Sequence, residues 1–166
     1  MAPSSTTRQY VPWFLPWATR SPTDEYADGQ PATPLVPFGF GLSYTQFTLS
    51  DAKLSASSVR AGGNVTLTLK IASSGPAGAC VVQVYFSQDL ASRVRYQRML
   101  LGFGKYSVPA NSGGTTVSLE LDVNKVDMWD KVQRAYVVEP SNYTLYVAQH
   151  SEDRHAMSLP LEITAP

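Results

Sequence analysis

The chain has one cysteine among its 166 residues, which excludes an internal disulfide framework. That residue, Cys80, sits between Ala79 and Val81 in an apolar run, with no cationic neighbour and no helix start to activate a thiol, so it is expected to be a buried small hydrophobe. Excess charge of either sign is also absent: 13 Lys+Arg balance 13 Asp+Glu, and a net charge of zero offers no field to recruit nucleic acid or anionic lipid. The one dense basic stretch, Arg93, Arg95 and Arg98, alternates with Val94 and Tyr96 and is expected on the solvated side of a strand or loop. No apolar run approaches the ~20 residues of a membrane-spanning helix, and the start lacks a basic stretch followed by a continuous apolar one. The expectation is therefore no nucleic acid, no membrane span and no export signal encoded in this chain.

What is present divides unevenly. Residues 1–37 hold seven of the twelve prolines and no helical or alternating period, so they are expected to form an extended arm. Within the arm, Val11-Pro12-Trp13-Phe14-Leu15-Pro16-Trp17 cannot be helical, yet it is too apolar to stay in water and needs a surface to lie on. From residue 38 to 166 the pattern becomes one of short alternating runs separated by Gly, Ser, Asn and Pro clusters, as expected of an all-β antiparallel sandwich. Val65, Leu67, Leu69 and Ile71 alternate with Thr66, Thr68 and Lys70, and Val117, Leu119, Leu121 and Val123 alternate with Ser118, Glu120 and Asp122. Residues 80–86 are apolar except for Gln83, which predicts a central strand covered on both faces. Further strands are expected near 47–54, 102–108, 134–138, 143–148 and 157–163, with a single helical turn near Val126-Asp127-Met128-Trp129-Asp130. Pro140-Ser141-Asn142-Tyr143 predicts a tyrosine corner, which favours a sandwich over a closed barrel.

The run Pro34-Leu35-Val36-Pro37-Phe38-Gly39-Phe40-Gly41-Leu42-Ser43-Tyr44-Thr45-Gln46-Phe47 resembles the P-L-x-P-F-G-x-G-L-S-Y-T-x-F segment of glycoside hydrolase family 3. Tyr26-Ala27-Asp28 before it, and Val81-Val82-Gln83-Val84-Tyr85-Phe86-Ser87, Leu100-Leu101-Gly102-Phe103, Val137-Val138-Glu139-Pro140, Tyr143-Thr144-Leu145-Tyr146-Val147 and Ser151-Glu152-Asp153 after it, are similar to that family's pieces in order. The departures are Ile71-Ala72-Ser73-Ser74-Gly75 for V-x-N-x-G, Tyr96 for a proline and Ala148 for a glycine, which bear on turns rather than on the fold. The resemblance implies a fibronectin type III-like domain with its lead-in, following the end of an α/β sandwich domain. It also implies a parent that hydrolyses β-linked glucosides or xylosides, with the nucleophile and the acid/base both outside this chain.

A retaining glycosidase needs two carboxyls about 5 Å apart in contrasting surroundings. The acids here lie on wet strand faces or in turns, as with Glu120 and Asp122 or Asp127 and Asp130, and Asp51 falls in the first expected strand, so no catalytic residue is assigned. His150, Glu152, Asp153 and His155 are the one metal-like cluster, but their spacing fits no recognised pattern, so neither a metal nor a cofactor is assigned. Phe38, Phe40, Leu42, Tyr44 and Phe47, together with Trp13 and Trp17, are expected to pack against the catalytic barrel and sandwich domains of the parent. The competing reading is a free-standing carbohydrate-binding or adhesive module in which Tyr10, Trp13 and Trp17 stack on sugar rings. Asn64-Val65-Thr66 and Asn142-Tyr143-Thr144 satisfy the N-glycosylation pattern, which suggests a secretory origin for the parent.

Overall fold

The computed structural model describes residues 36–92 and 95–165. Alternating sequence becomes half-buried strand in β3 (Asn64–Ser74), where Val65, Leu67, Leu69 and Ile71 are all buried while the threonines between them face water. β1 (Gln46–Leu54) and β6 (Thr115–Asp122) pair antiparallel with β3 on either side, giving a three-stranded sheet. β1 carries one extra residue between Ser50 and Lys53, and Asp51 absorbs it at φ 54 with its carboxylate 2.9 Å from Lys70 Nζ. Asp51 is thus a bulge residue with a surface partner.

The second sheet has five strands in the order β2 (Ser58–Arg60), β10 (Met157–Thr164), β9 (Ser141–Ala148), β4 (Gly78–Gln88) and β5 (Met99–Val108). All its pairings are antiparallel except β2 with β10, which is parallel. Its inner face brings Cys80, Val82, Val84 and Phe86 of β4, Tyr143, Leu145 and Val147 of β9, and Leu161 and Ile163 of β10 against the β3 row, forming one core. Fully burying such a side chain contributes about 1.5–3 kcal/mol, so this interdigitated layer is what holds the two sheets together. Burial also pushes the Cys80 thiol up to about 11, so it stays protonated and inert.

The connection from β6 to β9 differs from expectation. The helical turn is a 3-10 turn at Val123–Val126, capped by Asp122, whose carboxylate accepts from Asn124 N at 2.9 Å. Met128–Asp130 is instead strand β7, paired with β8 (Ala135–Val137) in a small hairpin on which Trp129 and Tyr136 meet edge to face. At its end the expected tyrosine corner is present: Tyr143 Oη donates to Glu139 O at 2.7 Å. Tyr143→Phe keeps the ring in the core and removes that bond. It is expected to cost about 1 kcal/mol in urea unfolding, and a loss below about 0.3 kcal/mol would make the corner dispensable.

Candidate functional site

From Val82 to Phe86 strand β4 is buried on both faces, and what meets its outer face at Gln83 and Tyr85 is the lead-in segment of the chain itself. Gln83 and Tyr85 point away from the core, yet only 5% and 2% of their surface remains exposed. A buried amide must find partners for each of its groups. The Gln83 amide nitrogen donates to Gly39 O at 3.1 Å and to Gln149 O at 2.6 Å, and its oxygen accepts from Tyr85 Oη. Phe38 O in turn accepts from Ser151 N at 2.9 Å and lies 3.5 Å from Tyr85 Oη. The lead-in is therefore a strap, tied by its backbone carbonyls to β4 and to the β9–β10 loop.

Gly39 is required where the strap meets Gln83. Its φ is +78°, a conformation costly for any residue with a Cβ, and a Cβ there would overlap the Gln83 amide. Farther along, Thr45 Oγ1 donates to Pro76 O at 2.5 Å just before β1, and within β1 Phe47 O accepts from the Gln149 amide at 3.0 Å. Burial of Tyr85 in this network pushes its hydroxyl up to about 12 despite the nearby Arg98, so it remains a donor at all ordinary pH values.

The strap sorts the five apolar residues expected to act together. Phe47 packs against the domain's own core, and Phe38 is half-buried with its carbonyl engaged. Phe40 is 47% exposed, its ring edge-on to His150 at 5.5 Å. Leu42 and Tyr44 stand in solvent at 92% and 102% exposure. Phe103, directly opposite Gln83 across the β4–β5 pairing and 65% exposed, adds an apolar side chain beside the strap that sequence reasoning missed. Its signal was a phenylalanine between Gly102 and Gly104 on a strand whose alternation places it outward. Trp13 and Trp17 lie outside the described residues.

Arg95 and Arg98 are not on a solvated face. The Arg95 guanidinium lies over the Phe86 ring and donates to Val126 O, and that of Arg98 lies 4.2 Å from the Tyr146 ring centroid and donates to Ser151 O at 3.1 Å. Both brace loops onto the sandwich. Asp153 of the histidine-rich turn spends its carboxylate on the backbone, accepting from Gln149 N and His155 N at 3.0 and 2.9 Å. Among the described residues no three His, Cys, Asp or Glu side chains group as metal ligands. Asn64 and Asn142 are both exposed, the former with its amide donating to Glu120 at 2.7 Å.

Residues 80–151 match the fibronectin type III-like domain family. A periplasmic β-glucosidase of Salmonella typhimurium is 35% identical over 119 residues, which are 71% of this chain and 15% of that protein. A β-xylosidase of Formosa agariphila is 38% identical over 122 residues, 72% of this chain and 16% of that one. The crystal structure of a β-glucosidase from Listeria innocua in complex with glucose superposes with a TM-score of 0.71 at 30% identity, covering 84% of this chain and 19% of the enzyme. The chain thus spans less than a fifth of the length of these relatives.

Proposed function

We propose that this chain, whose described residues form a fibronectin type III-like domain of the kind carried by β-glucosidases and β-xylosidases of glycoside hydrolase family 3, is a non-catalytic accessory domain that stabilises the catalytic domains of such an enzyme. The observation that carries this reading is the strap. A segment tied down by Gln83 and by the Ser151 amide presents Leu42 and Tyr44 outward, fully exposed, just before β1. Two large apolar side chains this exposed to water are unfavourable unless a partner covers them. The partner is the catalytic portion of a parent enzyme, in cis or in trans, acting on β-linked glucosides or xylosides as the names of the relatives indicate.

Catalysis belongs to that partner. The acids described here are turn caps, bulge residues and solvated strand positions, and no pair is set in the contrasting environments that glycoside hydrolysis needs. Purified chain incubated with aryl β-glucoside and aryl β-xyloside is expected to release no phenol above the uncatalysed rate. Turnover that survives repurification and vanishes when one acid is replaced would overturn the reading. A saturable, sugar-dependent change in Trp fluorescence would instead favour a free-standing carbohydrate-binding module.

A further inference from the structure

The strap and the β9–β10 loop hold each other, and Gln149 joins them through three of its polar groups. Its carbonyl accepts from the Gln83 amide that also donates to Gly39 O, its side-chain amide donates to Phe47 O, and its backbone N donates to Asp153 Oδ2 at 3.0 Å. Beside it, the His150 ring meets the Phe40 ring edge-on. The Ser151 peptide then lies between two supports, its N donating to Phe38 O at 2.9 Å and its O accepting from Arg98 Nη1 at 3.1 Å. Both Asp153 oxygens bond the loop's own backbone, at Gln149 N and His155 N, and its N and O close two further turns with His150 O and Ala156 N.

Neither segment is part of a sheet ladder over this stretch, so each depends on bonds to the other. Opening the strap alone would take a partner from the Gln83 amide and from Ser151 N, both buried, and an unpaired buried donor costs more than the bond it lost. Segments joined in this way open as one cooperative unit below the stability of the whole domain. We infer that the strap and loop 149–156 open and close together as a latch, with Asp153 a positioning residue that sets the strap through Gln149. Such coupling is reciprocal: a partner that holds the strap stabilises the loop, and a change in the loop loosens the strap. The latch is a property of this chain; its use in docking rests on the accessory-domain reading, and its test contains no catalytic portion, so the two fail separately.

Native-state hydrogen exchange of the full chain reads both halves. Asp153→Ala is expected to speed exchange of the Phe40 and Ser151 amides about tenfold, and Gly39→Ala to speed exchange of the Gln149 and His155 amides by a similar factor, although those two donate to Asp153 and not to the strap. The Leu67 and Leu69 amides of β3 should keep their rates in both variants. Asp153→Asn retains one acceptor oxygen and should restore part of the protection at Phe40. Should Gly39→Ala unfold the domain, Phe40→Ala, at a position already 47% exposed, is the second strap variant, with the same loop amides read. Faster exchange confined to the substituted half overturns the inference, and so does a loss in Asp153→Ala that reaches β3 equally, which would make the loop part of the global fold rather than of a latch.

Discussion

Gln83→Leu is expected to release the strap and lower stability by about 2–3 kcal/mol, because one amide satisfies two carbonyls and a buried hydroxyl at once. The volume is nearly kept, so the loss comes from Gly39 O, Gln149 O and Tyr85 Oη losing their partner rather than from a cavity. For a domain of this size that is a fall in melting temperature of about 10 °C. Hydrogen exchange should locate the damage: the Phe40 and Ser151 amides, which donate to Pro37 O and Phe38 O, lose protection while those of β3 keep it. Gly39→Ala should reproduce the pattern from the other side of the contact, since its Cβ and its φ both oppose the bound geometry. A Gln83→Leu variant as stable as the parent, with those amides still protected, would mean that the strap is held by something else.

The largest loss is expected from the core. Leu69 has no exposed surface and belongs to the β3 row that faces the second sheet, so Leu69→Ala should cost about 2–5 kcal/mol in urea unfolding from the lost transfer energy and the void left behind. Val81→Ala, a similar truncation on the outer side of β4 where the side chain is 38% exposed, should cost less than about 1 kcal/mol. Similar losses at the two positions would contradict the assignment of inner and outer faces.

Much of this architecture was legible because a half-buried strand must alternate. The β3 and β6 rows announced themselves for that reason, and the tyrosine corner did so because its bond is local in sequence. Strand β4 was recognisable as covered on both faces, but what covered it was not, since the strap is joined to it by contacts 44 residues apart. The signal was Gln83 itself: a lone amide in an apolar strand must reach backbone groups from another segment. Strand β2 was invisible because three residues carry no period and its pairing with β10 is tertiary. Met128–Asp130 was mistaken for a helical turn because the capped turn directly before it ends at Val126 and so few residues cannot separate the two periods. Arg95 and Arg98 were misplaced because the rings they cover, Phe86 and Tyr146, come from other strands, and Arg93 lies outside the described residues. Within the lead-in, composition gave five apolar residues, and only the fold separates Phe47, turned into the core, from Leu42 and Tyr44, turned outward.

We propose that the strap is a docking element for a catalytic portion. The measurement that tests it most directly is the thermal melt of that portion, expressed without this domain, with the chain added in trans. The melting temperature is expected to rise by several degrees and to saturate with added chain, accompanied by a gain in hydrolysis of an aryl β-glucoside or β-xyloside, and both effects should be lost with Leu42→Ser plus Tyr44→Ser while the chain's own melt stays unchanged. A catalytic portion whose melting temperature and activity do not respond at saturating chain, or respond equally to the double variant, would contradict it.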